Sequence, residues 1–383
     1  MPPADAVPGA VSDELADKQA RLAGFLDRQN LKAVLLWRRQ NFAWITCGRE
    51  NRIPDNEETG VAGILATPDR RWCLADAIEA PRMRDEELAG TGIEVIEFPW
   101  HDAGAGGRRV RGLLGDLGLS PERVAADVDK PAVGFASLPG DFAQLRWPLT
   151  SAEVDRYRDG ATRTAGAVEQ AVEAVEPGMS EHDLAALLAF TVRAAGLVPH
   201  VNLIATDERV FRFRHPIPTD KALARYAMLV TCAGFGGLVT SCTRFVHFGP
   251  VPDELKRKQQ AVADVDAAVI LATRPGRTLG EIFDDLQHAY AAAGFADEWT
   301  LHHQGGPTGY ANRERVATPG DATAVLDFQA FAWNPSITGA KSEDTILVTP
   351  DELEILSGHS EDWPTITGQS PDGELPRAAC LVR

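Results

Sequence analysis

The sequence predicts an α+β protein whose second half is built twice, preceded by a smaller α/β domain. Three observations point there. Up to about residue 147, short apolar runs with β character alternate with helical stretches. In the second half, a helix–Pro-Gly–helix pattern recurs at a spacing of 98 residues. Strand-like segments follow each copy, which suits antiparallel sheets with helices on one side.

A length of 383 residues suits two domains. The boundary is expected near 145–152, giving domains 1–148 and 149–383. Hydrophobic residues at 44% and charged residues at 24% are ordinary for a soluble protein with a sizeable core. Acidic residues outnumber basic ones, 55 to 38, for a formal net charge of -17. Such a surface repels phosphate backbones, so no nucleic acid and no anionic membrane is expected as a partner. No run of 18 apolar residues exists, and the start lacks a basic segment followed by an apolar one. A cytoplasmic protein is expected. Cys47, Cys73, Cys232, Cys242 and Cys380 are odd in number and contain no CxxC, which argues against a disulfide framework or a zinc knuckle.

Residues 1–11 are Pro/Ala-rich and expected to fray. Ser12 is the expected cap of a helix with Leu15, Leu22, Phe25 and Leu26 as its apolar stripe. Strands are expected at 32–37, 42–46, 61–66, 70–75 and 94–98, with helical stretches around 76–90 and 107–117. Thr150 or Ser151 caps a long helix. In the duplication, Pro177-Gly178 matches Pro275-Gly276, Ser180 and Asp183 match Thr278 and Glu281, and Ala195-Gly196 matches Ala293-Gly294. Ser/Thr with an acid three residues on is a helix-start pattern, and a closing Gly is a helix-stop pattern. The first copy is followed by strands at 199–207, 225–234 and 237–249, with a hairpin turn at Gly236-Gly237. The second is followed by strands at 299–306, 323–335, 344–350 and 353–357. The tail 358–383 reads as loop.

Four segments carry the chemistry: FRFRHPIPTD (211–220), GGLVTSCTRF (236–245), LHHQGGPTGYANRE (301–314) and AWNPSITGAKSEDTILVT (332–349). In order and spacing they resemble the family of methionine aminopeptidase, prolidase, aminopeptidase P and creatinase. The resemblance covers about 152–357 and extends to 12–148 as the amino-terminal domain of that family. It implies the pita-bread fold, itself an internal duplication. It also implies two metal ions held by two Asp, one His and two Glu. Here the stretch 221–252 contains no Asp or Glu. The first Asp position falls at Val230, Thr231 or Cys232, the second at Ser241 and the first Glu at Gln329. Only His303 and Glu343 remain. Losing three negative charges removes most of the attraction for a pair of dications, so no metal and no other cofactor is expected.

Creatinase is the metal-free precedent that the resemblance supplies. The expected activity is hydrolysis of a C–N bond in a small polar, carboxylated metabolite. An Xaa-Pro-type metallopeptidase and a non-catalytic ligand-binding relative are the alternatives. Histidine serves as base and acid near neutral pH because its ordinary pKa is about 6.5. His215 is the candidate acid/base, Glu343 its partner or a cation anchor, and His303 a second proton carrier. A buried Glu343 is expected to raise the pKa of a nearby imidazole. Arg212 and Arg214 share one face if strand-like and are candidates to clamp a substrate carboxylate. Tyr310, Arg313 and Gln329 complete the substrate-binding set. His302 and His303 face opposite ways if on a strand, leaving at most one in the pocket. The resemblance implies a homodimer, with Arg52 a candidate to reach the substrate of the neighbouring subunit.

Overall fold

The computed structural model describes residues 8–129 and 134–383. The chain divides into two compact units, one reaching to Arg146 and including 150–153, the other comprising 147–149 and 154–383. Among the described residues no helix is long and apolar enough to cross a membrane.

The first unit runs α1 (Pro8–Arg28), β1 (Ala33–Arg38), α2 (Arg39–Ile45), β2 (Thr59–Ala66), β3 (Arg71–Asp76), α3 (Ala80–Arg82), β4 (Glu94–Phe98), α4 (Ala105–Asp116), β5 (Val124–Ala126) and β6 (Ala136–Ser137). Its six strands form one mixed sheet in the order β4-β3-β2-β1-β5-β6. Strand β1 is central, and Ala33 to Leu36 are fully buried. A strand covered on both faces reads as a continuous apolar run, which is why it is legible. The expected strand 42–46 is instead helix α2, whose residues 41–45 are all buried. A short apolar run buried on every side carries no periodicity to separate strand from helix. Helix α1 begins at Pro8 rather than Ser12, as proline suits a first turn. The fraying expected of 1–11 lies, for 1–7, outside the described residues. The helix expected over 76–90 shrinks to α3 and a π-turn at Met83–Glu87.

Helix α5 (Ser151–Glu173) leads into the second unit, capped by Thr150, whose Oγ1 accepts from Glu153 N at 3.2 Å. Then come α6 (Glu181–Ala194), β7 (Val198–Thr206), β8 (Tyr226–Phe235) and β9 (Leu238–His247). The second copy supplies α7 (Asp253–Ala272), α8 (Leu279–Ala292), β10 (Gly305–Thr308), β11 (Gln329–Trp333), β12 (Ser336–Ile337), β13 (Ala340–Lys341), β14 (Asp344–Val348) and β15 (Leu353–Ile355). The duplication is physical. Ser180 with Asp183 and Thr278 with Glu281 form matching capping boxes. Each capping residue also makes an isolated β-bridge, to Ala222 and to Ala324. The preceding Gly178 and Gly276 take φ of 94° and 84°, which only glycine adopts freely. Val168, Val172, Leu184 and Leu188 of α5 and α6 pack on Leu229 and Val246 of the first sheet. Val265, Val269, Ile282 and Leu286 of α7 and α8 pack on Phe331 and Ile346 of the second.

The tail is not loop. It forms a hairpin, β16 (Thr365–Ser370) with β17 (Gly373–Ala378), and then β18 (Leu381–Val382), parallel to β9. Its polar composition hid strands that are half exposed. Gly368 lies so close to α7 that a Cβ would sit 2.3 Å from Ala263 O. The two sheets meet where β9 runs beside β14: Ser241 N donates to Thr345 Oγ1 at 2.8 Å and Thr243 N to Glu343 O at 3.2 Å.

Ser180→Ala and Thr278→Ala should each cost about 1 kcal/mol in urea unfolding, additive in the double variant because they share no partner. Unchanged midpoints in both variants would show that the caps do not hold the repeat.

Candidate active site

Glu343 lies where the chain enters β14, two residues beyond Lys341. In an extended chain residues two apart share a side, so Lys341 meets the carboxylate. Its Nζ donates to Glu343 Oε2 at 2.6 Å, and Thr243 Oγ1 donates to the same oxygen at 2.6 Å. The other oxygen, Oε1, accepts from Arg313 Nη2 at 3.1 Å. Arg313 Nη1 donates to Ser241 Oγ at 3.0 Å, and Ser241 Oγ lies 3.3 Å from Cys232 Sγ on the paired strand β8. Glu343 is 3% exposed. Burial pushes its carboxyl up, but Lys341, Arg313 and the Thr243 hydroxyl outweigh this and hold it down at about 2. One carboxylate thus faces two cations, and the cluster carries a net positive charge. Burial pushes the Cys232 thiol up, which keeps it protonated and a poor nucleophile.

Three imidazoles gather nearby. His302 Nε2 lies 3.0 Å from His215 Nε2, and the ring centroids of His302 and His303 are 4.6 Å apart. One ligand atom from each of the three falls within 4.8 Å of the others. His302 is buried, while His215 and His303 are exposed on one side. The expectation that only one of His302 and His303 lines the site is corrected. Residues 302–304 have no ladder partner, strand β10 starting only at Gly305, so alternation does not apply. Gly305 adopts φ +99° and lies so close to β11 that a Cβ would sit 2.1 Å from Ala332 O. His215 is set by the following Pro216, which is buried and disfavours a helical turn before it. The expectation that Glu343 raises the imidazole pKa values is also corrected. Burial pushes His302 down to about 2 and His303 to about 4, and lowers His215. Lys341 and Arg313 add to this, and Glu343 offsets it only in part. All three rings are neutral at pH 7.

The remaining candidates are placed as follows. Arg214 is tied to Glu298 at 2.6 Å and Thr338 at 3.2 Å. Arg212 lies over the Phe213 ring, 5.4 Å from its centroid. Residues 211–218 form no strand, so the alternation expected to put the two arginines on one face does not apply. Tyr310 is buried, its hydroxyl accepting from Arg156 Nη2 at 3.1 Å. Gln329 Oε1 accepts from Leu326 N at 2.8 Å, and its buried Nε2 has no partner among the described residues. Arg52 belongs to the first unit, paired there with Glu50 and, at 2.6 Å, with Asp55. Sequence reasoning missed Lys341 and Thr243, and it chose His303 over His302 where the structure brings both together. The period of two in AKSE was the available signal for Lys341.

The profile of metallopeptidase family M24 matches residues 155–350. The chain belongs to that family, a family of hydrolases, with the pita-bread fold behind an amino-terminal domain. An uncharacterized peptidase of Staphylococcus saprophyticus is 21% identical over 240 residues, 59% of this chain and 67% of that protein. In fold the chain is similar to the Xaa-Pro dipeptidase from Bacillus anthracis, with TM-score 0.75, 18% identity, and 96% of this chain and 100% of that chain covered. The X-Pro aminopeptidase from Thermotoga maritima gives TM-score 0.73 at 17% identity over 95% of this chain and 99% of its own.

The two-metal centre that the motifs imply does not fit these side chains. The resemblance puts its positions at Val230, Thr231 or Cys232, of which Cys232 lies opposite Ser241 in the β8–β9 register, then at Ser241, His303, Gln329 and Glu343. Only Glu343 is charged, and both its oxygens already bind cationic side chains.

Glu343→Gln should cost about 3–5 kcal/mol because it leaves Lys341 and Arg313 buried against each other. Lys341→Met should cost less, since Arg313 still pairs, and the double variant less than the sum, as read by denaturant unfolding. A costlier Lys341→Met would contradict this charge count. The pH dependence has one sign. The unfolded chain takes up protons near the ordinary histidine value of 6.5 that folded His302 and His303 refuse. Stability therefore falls as pH drops through 6.5 toward 4, and Glu343 adds a further loss from 4.5 toward 2. His302→Leu should flatten the melting-temperature slope between pH 6.5 and 4.

Proposed function

We propose that this protein hydrolyses a C–N bond in a small, carboxylate-bearing substrate without the two-metal centre of its family. The observation that carries the reading is the pairing of both Glu343 oxygens with Lys341 and Arg313. Those cations stand where a metallopeptidase needs fixed negative charge. Their surplus positive charge suits a substrate carboxylate.

The neutral imidazoles supply the proton transfers. When His215 donates its Nε2–H to His302 Nε2, its Nδ1 keeps a free lone pair. That nitrogen takes a proton from water as the oxygen attacks the carbon of the scissile bond. The resulting imidazolium returns the proton to the departing nitrogen, so base and acid are one residue. His303 is the second proton carrier at the open side. Membership of a peptidase family and the Xaa-Pro names of its structural relatives support the second reading, a peptidase. A dipeptide is also a carboxylate-bearing C–N substrate, so the two readings differ chiefly in the need for metal. A homodimer as the working form remains part of the proposal.

The test is a screen of carboxylated amides, ureas, guanidines and X-Pro dipeptides in the presence of a strong chelator. Turnover should persist, and His215→Ala should lower kcat by about 10²–10⁴-fold with the fold intact. The acid limb of kcat/KM should lie below pH 6.5, because burial lowers the His215 pKa. Turnover that appears only with added Mn²⁺ or Co²⁺ would overturn the reading in favour of the metallopeptidase.

A further inference from the structure

We propose that His215, His302 and His303 form a site for one borderline transition-metal ion, Zn²⁺ being the type case. This site shares His303 with the two-metal pattern of the family but uses imidazoles in place of carboxylates. It goes beyond the hydrolase reading but rests on the same histidine cluster.

The geometry is that of a facial set of nitrogens. Zinc binds imidazole nitrogen at about 2.0–2.1 Å, and two nitrogens 3.0 Å apart then subtend about 90° at the ion. The third ligand needs about 1.5 Å of closure, since ligand atoms within 4.8 Å must come within about 3.4 Å for tetrahedral angles. His303 makes no hydrogen bond among the described residues and is exposed on one side, so its ring has room to turn. His302 is the fixed member, buried between the other two.

Charge selects the metal. Lys341 and Arg313 face the cluster and Glu343 offsets only one of them. Hard ions that need carboxylates, such as Mg²⁺, Ca²⁺ and Mn²⁺, find no anionic donor free. Imidazole binds borderline ions through a neutral lone pair, so three donors remain although Lys341 and Arg313 weaken the hold on any dication. The same positive surroundings favour an anionic fourth ligand. Three nitrogens leave that fourth position open on the exposed side.

The ion takes the lone pairs that proton transfer requires. A loaded site and the metal-free hydrolysis therefore exclude each other, and Zn²⁺ is expected to silence the enzyme rather than activate it.

The experiment is calorimetric titration of Zn²⁺ into chelator-treated, dialysed full-length protein at pH 7, with Co²⁺ absorption as a second readout. One ion per chain is expected, with the intense visible bands of four-coordinate cobalt. His302→Ala should weaken binding by more than about a hundredfold, beyond the usual cost of an outer-shell change. His215→Ala, in an exposed turn where folding is not at stake, should do the same. No binding, two ions per chain, or unchanged affinity in both variants would overturn the site. Turnover without any Zn²⁺ binding removes this site and leaves the hydrolase. Binding without turnover of any carboxylated C–N compound removes the hydrolase and leaves the site. Zn²⁺ that raises turnover would overturn the mutual exclusion.

Discussion

The pairing of one buried carboxylate with two cationic side chains governs the second unit. Glu343 takes Lys341 on one oxygen and Arg313 on the other, and Thr243 completes the shell. Removing charges from water is costly unless each finds a partner. This cluster meets that condition with a surplus of one positive charge. The surplus has two consequences. It adds to the burial that keeps the nearby imidazoles neutral, and in the proposed function it suits an anionic substrate.

A second buried network stands behind the first and has a different role. Arg377 of β17 donates to Asp266 of α7 at 2.7 Å and to Asp344 at 2.6 Å, while Arg244 of β9 donates to Asp344 at 3.0 Å. Asp344 follows Glu343 directly, so these bonds fix the backbone that presents Glu343. Glu169, 3.7 Å from Arg244 Nε, adds a third carboxylate, so two arginines face three acids here. The hairpin of the tail is thus part of the support of the site, since it supplies Arg377.

The duplication was legible in the sequence because it is written in caps and glycines, Ser180 and Asp183 against Thr278 and Glu281. Such residues act through local backbone geometry that holds in any tertiary context. The departures from the metal-binding pattern were legible for a similar reason, since missing carboxylates show without any structure. Three things were not legible. The run 42–46 lies buried on all sides as a helix, so periodicity gave no answer. The pairing of His302 with His215 joins residues 87 apart through a stretch without a ladder. The sign of the imidazole shifts is set by burial, which no motif reveals, and is reinforced by Lys341, whose contact with Glu343 arises from strand geometry.

Anomalous diffraction from crystals equilibrated with Mn²⁺ tests the central claim most directly. The account predicts no manganese at Glu343, with Lys341 Nζ still within bonding distance of Oε2. Two anomalous peaks sharing the Glu343 carboxylate, with Lys341 swung away, would contradict it.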